Sequence, residues 1–157
     1  MQTCVVRRAG RGDVGAIVGL WREMWDFHTP YDARFDATPA ADVAMARWIE
    51  MNLESERSAV FVAEEAGGAP AGYCLAMILE NFPGLAAQFY GRVSEIAVRR
   101  RREGVGTRLL EEAHAWLRAR NVPYVEVDVS TRNPVARAFW RKRGYGDFLE
   151  RLRLELR

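Results

Sequence analysis

The run of the sequence with the clearest chemical potential is Arg-Arg-Glu-Gly-Val-Gly at residues 101–106. It lies between a β-prone run and a helical pattern. Backbone amides at the start of a helix bind phosphate oxygens at the positive end of the helix dipole, and glycines let the backbone approach without a Cβ in the way. Arginine adds a charged, forked donor. This turn therefore predicts a binding site for a diphosphate.

Other phosphate-binding loops fit these residues poorly. The lysine and hydroxyl of a P-loop are absent, and a dinucleotide fingerprint would need a small residue where Leu109 stands. Two further interpretations of the arginines at residues 99–102 stay open, namely a solvated basic turn and a nucleic-acid contact. Steep salt dependence of oligonucleotide binding would identify the second. The near balance of 23 basic and 21 acidic residues counts against it.

Glu95 is a second candidate functional residue. It lies in the β-prone run at residues 90–98, just before the turn. We expect this strand to be central, where an unpaired carboxylate is costly. The alternatives are a strand residue that faces water and a salt-bridge partner. Cys4 and Cys74 have no histidine or aspartate motif beside them and are predicted to be small buried residues, not nucleophiles.

Hydrophobic periodicity predicts the elements that must position these residues. In the N-terminal half they are a strand at residues 3–8, a helix capped by Asp13 and ending near His28, a helix at residues 40–54, and a hairpin of strands at residues 59–64 and 72–79 that turns at Gly67 and Gly68. In the C-terminal half they are a strand at residues 90–98, a helix at residues 107–118, a strand at residues 124–130, a helix from Asn133 to Arg143 and a final strand at residues 145–156.

The strand–helix–strand order around residues 90–130 predicts a parallel, right-handed βαβ unit. We therefore expect a mixed α/β fold, with a twisted, mostly antiparallel sheet of six to seven strands that has a parallel centre and about four flanking helices. The 157 residues, 49% of them hydrophobic, suffice for a single domain over residues 1–157.

Composition excludes several other classes of protein. The longest uncharged stretch, residues 66–79, is shorter than the ~20 apolar residues of a membrane helix, and the N-terminus lacks the pattern of a signal peptide. The two cysteines form no disulfide or metal framework. We expect a cytoplasmic protein with reduced thiols and without a metal, and neither a membrane nor a nucleic acid as partner.

The turn at residues 101–106 resembles the pyrophosphate loop of the GCN5-related N-acetyltransferase (GNAT) superfamily, in which Gln or Arg is followed by two residues, Gly, one residue, and Gly or Ala. Arg101, Gly104 and Gly106 match this signature in order. Three further segments also look like the family. They are the preceding strand, the following helix, and a distal block from Asn133 to Tyr145.

The resemblance implies an acetyl-CoA site. In such proteins the pantetheine arm pairs with the strand before the loop, the diphosphate lies on the loop, a gap between that strand and the next admits the cofactor, and the asparagine of the distal block holds the pantetheine. The implied cofactor-binding residues are Ile96, Ala97, Val98, Arg101, Arg102, Gly104, Val105, Gly106, Thr107, Asn133, Ala136 and Trp140.

The resemblance also implies roles in acyl transfer. Glu95 occupies a position that often holds the general base, and the Val98 amide can donate a hydrogen bond to the thioester oxygen. Many relatives carry a tyrosine as general acid where this chain has Trp140, whose indole cannot give up a proton. Tyr145 is therefore the catalytic substitute, with Tyr90 and Ser130 as alternatives.

The loop after the first helix is where relatives build the acceptor pocket, and Asp26, His28 and Tyr31 are the candidate substrate-binding residues, although a solvated polar loop would look the same. The expected function is acetyl-CoA-dependent N-acetylation of a primary amine on a small molecule or peptide, by direct attack on the thioester. The alternative is a non-catalytic acyl-CoA sensor or interaction module. A homodimer that exchanges a C-terminal strand is a further expectation.

Overall fold

The computed structural model describes residues 4–65, 67–68, 70–99 and 104–156, apart from the side chain of Ala33. Residue contacts divide the chain into two compact units, one up to Val127 and one from Asp128 onward. Of the predicted site residues, Arg101 and Arg102 lie outside the described residues.

The first unit contains most of the secondary structure, within a few residues of the predicted bounds. Its elements are β1 (Val5–Arg8), α1 (Val14–His28), α2 (Ala41–Glu54), β2 (Ser58–Glu64), β3 (Pro70–Glu80), β4 (Phe89–Val98), α3 (Val105–Arg118) and β5 (Val125–Glu126). Asp13 is the N-cap residue of α1, as predicted, but its side chain makes no capping hydrogen bond to the helix. Asp13 instead accepts a hydrogen bond from the Gly10 amide at 2.7 Å and forms an ion pair with Arg7 at 2.8 Å.

The strands form one mixed sheet in the order β1-β2-β3-β4-β5. The first four are antiparallel neighbours, and β5 pairs parallel to β4. The described residues thus contain five strands where six to seven were expected, and the parallel pair lies at the edge of this sheet where a parallel centre was expected. The strand expected at residues 124–130 is reduced to Val125 and Glu126, because only these two residues pair with β4.

The second unit contains α4 (Pro134–Lys142). The final strand predicted at residues 145–156 is not formed, and the described residues there have no regular secondary structure. Alternating apolar side chains give a segment two faces, but a strand also needs a neighbour for its backbone hydrogen bonds. Within this unit no such neighbour is described.

The two faces of the sheet pack against different helices. Alternate residues of a strand point to opposite faces, and on β3 Tyr73 and Leu75 pack in a core cluster with Ile17 and Leu20 of α1 and Ile49 of α2.

The opposite face packs against α3. A Cβ on Gly72 would lie 3.2 Å from Leu109 of α3 and only 2.6 Å from the carbonyl oxygen of Ala97. Glycine at this position therefore lets β3, β4 and α3 approach closely.

Candidate active site

A β-bulge in β4 changes the direction of the backbone amides along this strand. Val93 pairs with Ala76 of β3 and Glu95 with Leu75, so Ser94 is an extra residue with no partner. The Gly91 amide donates to the Tyr124 carbonyl, on the β5 side, whereas the Arg99 amide donates to the Ala71 carbonyl, on the β3 side. In a regular strand two amides an even number of residues apart point the same way. The bulge accounts for the reversal.

The reversal aims the amides of Ile96 and Val98 away from β3, because these residues alternate with Arg99. On that side β4 pairs with β5 only through Gly91 and Arg92. Among the described residues, no strand pairs with that edge of β4 from Val93 to Val98. This part of β4 therefore presents backbone donors and acceptors to which an extended ligand can bind like an additional strand.

Glu95 lies on the face of the sheet that α1 and α2 cover, immediately after the bulge. The Tyr73 hydroxyl donates a hydrogen bond to its carboxylate at 2.7 Å, and the Trp48 indole of α2 also hydrogen-bonds to it. Tyr73 is fully buried. The two donors hold the carboxylate in one position close to the open edge of β4.

Burial raises the pKa of Glu95 above its usual value, while the hydrogen bonds from Tyr73 and Trp48 oppose this shift. A carboxyl with a raised pKa is a stronger base once it has lost its proton, and a general base is most effective when its pKa approaches the working pH. Glu95 therefore has the environment of a catalytic base, and the described residues place no arginine or lysine in an ion pair with it.

Tyr73 and Trp48 were not among the residues selected from the sequence. Each lies in a run whose periodicity indicates a buried apolar face, and nothing in that pattern distinguishes a ring that only packs from one whose polar atom binds a carboxylate. A tyrosine hydroxyl or indole nitrogen needs a partner when it is buried, and this rule was the one available signal.

The N-terminus of α3 begins where the diphosphate loop was predicted. Gly104 is the N-cap residue and has a φ of 80°, a left-handed conformation that glycine adopts without strain. The first helical hydrogen bond runs from the Arg108 amide to the Gly104 carbonyl, and the amides of Val105 and Gly106 precede it. Thr107 completes the first turn. This geometry suits an anion at the helix start.

The distal block lies in the second unit. Asn133 is buried and caps α4, because its side-chain oxygen accepts a hydrogen bond from the Ala136 amide at 3.0 Å. Trp140 is also buried, and its ring packs edge-on against Tyr145 at a centroid distance of 4.9 Å. Asn133 thus has the structural role of a helix cap, and its role toward pantetheine stays a prediction, as do those of Ala136, Trp140 and Tyr145.

The candidate acceptor residues lie at the end of α1 and just beyond it. His28 and Tyr31 are close together, with ring centroids 6.1 Å apart, in a cluster of aromatic rings that includes Trp25 and Phe35. The Nδ1 atom of His28 lies 2.7 Å from the Met24 carbonyl oxygen. Asp26 is exposed on α1.

Other chemistries find less support in the described part of the chain. Cys74 is fully buried, and burial raises the pKa of its thiol. No group of three or more His, Cys, Asp or Glu side chains able to hold a metal occurs among the described residues. In the same ranges no helix has both the length and the apolar character of a membrane span.

Comparisons with known proteins concern the family and the fold of the chain. The family model described as "Acetyltransferase (GNAT) family" matches residues 18–145. No curated protein matches the sequence.

Solved structures share the fold at low sequence identity. A tetramutant of the BH1408 protein from Bacillus halodurans has a TM-score of 0.86 at 19% identity, over 97% of this chain and 99% of that one. The aminoglycoside N-acetyltransferase AAC(6')-Iy in complex with CoA has a TM-score of 0.81 at 18% identity, over 100% and 97%. A predicted acetyltransferase with acetyl-CoA from Clostridium acetobutylicum has a TM-score of 0.79 at 17% identity, over 98% and 96%. With the family model spanning most of its length, this chain belongs to the GNAT family of acetyltransferases.

Proposed function

We propose that this chain is a single acetyltransferase domain that transfers an acetyl group from acetyl-CoA to a primary amine, on a small molecule or a peptide, by direct attack of the amine on the thioester. The observation that carries the proposal is the open edge of β4, where the amides of Ile96 and Val98 point outward next to Glu95. Solved relatives of the same fold contain CoA or acetyl-CoA.

The described residues fit acetyl-CoA in two respects. The edge of β4 at Ile96 and Val98 offers backbone groups to the amides of the pantetheine arm, and the start of α3 offers amides to the diphosphate. The backbone of Ala97 faces β3, so Ala97 stays in the proposed set on the strength of the family resemblance. We assign the diphosphate to residues 101–107, where Arg101 and Arg102 add positive charge. Asn133, Ala136 and Trp140 complete the proposed cofactor set on the strength of the family resemblance.

The chain's own groups supply the proton transfers and charge stabilisation. Glu95 accepts the proton that the amine nitrogen loses as it bonds to the thioester carbon, directly or through a water. The Val98 amide donates to the carbonyl oxygen as negative charge develops there. The carbon–sulfur bond then breaks, and a thiolate whose conjugate acid has a pKa of ~8.5 can leave with little assistance. Tyr145 is the proposed donor of the proton that the sulfur gains.

The acceptor is proposed to be an amine because of the family and of what its relatives bind. One solved relative, AAC(6')-Iy, is described with a bisubstrate analogue that joins CoA to a monomethyl-acetylneamine. In this chain Asp26, His28 and Tyr31 are the proposed acceptor residues at the end of α1, where acidic and aromatic groups suit a cation.

The test of the proposed function is release of the CoA thiol from acetyl-CoA in the presence of a panel of primary amines, with mass spectrometry of the products. We expect thiol release that depends on both substrates and an amide product that is 42 Da heavier than the amine, the mass an acetyl group adds. Protein that CoA protects against melting, but that releases no thiol with any amine, would be the acyl-CoA sensor. Protein that CoA does not protect would contradict both functions.

We also propose that the chain forms a homodimer through residues 145–156. Leu152, Leu154 and Leu156 alternate with charged residues and are 82–90% exposed. A two-residue period of large apolar side chains is typical of a strand with one buried face, and burial of one such side chain contributes roughly 1.5–3 kcal/mol. A second copy of the chain can supply the missing neighbour by exchange of this segment.

Sedimentation velocity tests the dimer. The double substitution Leu152→Lys and Leu154→Lys is expected to convert a dimer into a monomer, because it places two charges on the face to be buried. Arg151→Lys and Arg153→Lys, which place two lysines on the opposite, charged face of the same segment, are the matched control and should leave the dimer intact. A wild-type chain that sediments as a monomer at all concentrations would contradict the proposal.

A further inference from the structure

A groove of about 420 Å³ lies between α2 and the end of β3, on the face of the sheet that carries Glu95. Its lining includes Trp48 and Met51 of α2 and Met77 and Leu79 of β3. The volume is within the range of small-molecule sites.

The groove is connected to the proposed base through one side chain. Trp48 lines the groove, and its indole nitrogen hydrogen-bonds to the Glu95 carboxylate. Met77 lies two residues from Leu75, which is the β3 partner of Glu95, and therefore on the same face about 7 Å farther along the strand. The Trp48 end of the groove is therefore the end nearer to Glu95.

The polar groups that line the groove already have partners within the protein. The Ser58 hydroxyl donates to the Asn52 side-chain oxygen at 2.7 Å, and the side-chain nitrogen Nδ2 of Asn52 donates to the Trp48 carbonyl at 2.8 Å. At the rim Arg57 forms an ion pair with Glu80 at 2.7 Å. Glu80 is the one acid among the described lining residues, so no unpaired carboxylate there receives a second ammonium group. The surface that remains is apolar, and Met51 is 55% exposed.

A second cavity, of about 500 Å³, has no residue of α2 in its described lining. It is lined by residues 86–89 and 120–123 together with Ile78, and these are mainly the connections before β4 and after α3. Ile78 also lines the groove, but the described lining of the second cavity includes neither Trp48 nor Tyr73, the two residues that hydrogen-bond to Glu95. The second cavity therefore has no such connection to the proposed base.

We infer that the groove lined by Trp48, Met51, Met77 and Leu79 holds the apolar body of the acceptor, so that the preferred substrate is a monoamine with a hydrocarbon chain or ring and not a polycation. This inference rests on the proposed function and deepens it. The amine lies at the Trp48 end of the groove, toward Glu95, and the hydrocarbon extends along α2. This inference therefore replaces the proposed assignment of the acceptor to Asp26, His28 and Tyr31, none of which lines the groove. The groove excludes a second positive charge because burying an unpaired ammonium there is costly.

The test uses the full-length protein and four amines: methylamine, butylamine, hexylamine and 1,6-diaminohexane. The first readout is kcat/KM from thiol release with acetyl-CoA. The second readout, independent of turnover, is the rise in melting temperature that each amine gives protein saturated with CoA. From butylamine to hexylamine we expect kcat/KM to rise about fourfold per added methylene. 1,6-Diaminohexane, which matches hexylamine in length, should be at least about tenfold poorer.

Two substitutions on α2 separate the groove from the rest of the helix. Met51→Gln replaces an exposed apolar side chain of the groove with a polar one of similar length. It should lower kcat/KM for hexylamine about fourfold, whereas kcat/KM for methylamine, which does not reach along the groove, should stay the same. Val43→Gln is the matched control, because Val43 is 58% exposed on the same helix and does not line the groove.

The outcomes distinguish this inference from the proposed function. Turnover that does not depend on chain length, a preference for the diamine, or equal effects of Met51→Gln and Val43→Gln would overturn the inference and leave acetyl transfer intact. A melting shift with hexylamine that Met51→Gln removes, without turnover of any amine, would support the groove and contradict the proposed function. If hexylamine gives neither turnover nor a melting shift, the inference is overturned.

Discussion

Glu95→Gln is expected to lower kcat/KM for the amine by roughly two to four orders of magnitude, the usual contribution of a general base. Glutamine keeps the size of the side chain and can still accept the hydrogen bond that Tyr73 donates, but it cannot take a proton from the amine. The affinity for CoA, measured by calorimetry, should change little because the variant alters neither the edge of β4 nor the start of α3.

The pH dependence of this reaction follows from the direction of the pKa shift. A base must be deprotonated, so kcat/KM rises as pH increases through the pKa of Glu95 in the free enzyme. Burial raises that pKa, and the acid limb should therefore lie above the range of an ordinary glutamate. Tyr73→Phe removes a hydrogen-bond donor that favours the ionised carboxylate, so the pKa of Glu95 should rise further. The acid limb of kcat/KM should then move to higher pH, and kcat/KM should recover at the highest pH values measured.

Tyr73→Phe also serves as the control for a structural effect. Phenylalanine retains the ring in the core, and a loss of activity that comes from misfolding would lower the rate at every pH without moving the limb. Full activity of Glu95→Gln at every pH would show that Glu95 is not the base. An unchanged limb in a folded, active Tyr73→Phe would show that the hydroxyl does not set the protonation of Glu95.

The parts of the fold that could be predicted are those whose signal is local. The helix α3 follows from apolar residues at three- and four-residue steps, and β2, β3 and β4 follow from short β-prone runs between glycine turns. The left-handed conformation of Gly104 at the start of α3 was not predicted, because an N-cap residue usually has extended dihedral angles.

The parts that could not be predicted depend on a partner elsewhere in the chain. Residues 145–156 have the alternation of a strand but no described neighbour, and β5 is short because its pairing with β4 ends at Arg92. The hydrogen bond between the Tyr73 hydroxyl and the Glu95 carboxylate depends on the register of β3 and β4, which shifts at Ser94. No property of Ser94 itself indicates a bulge. Local propensity does not specify register.

Val98→Pro is expected to lower kcat by about 10²- to 10³-fold, the usual effect of removing one donor from an oxyanion hole. Proline lacks the amide hydrogen. The Val98 amide points away from β3, so the substitution removes no hydrogen bond of the β3–β4 ladder, and proline is tolerated on such an unpaired edge. Circular dichroism and melting should therefore show a folded protein, with the loss mainly in kcat and a smaller rise in KM for acetyl-CoA.

The neighbouring residue provides the control for the direction of the amides. The Ala97 amide points toward β3, so Ala97→Pro should remove a ladder hydrogen bond and lower the melting temperature sharply, whereas Val98→Pro should not. Replacement of Val98 by its α-hydroxy analogue, which turns the amide into an ester without a proline ring, isolates the lost donor. A folded ester variant that keeps the wild-type kcat would refute the oxyanion role. Equal destabilisation by the two prolines would refute the reversal that Ser94 produces, on which the open edge of β4 depends.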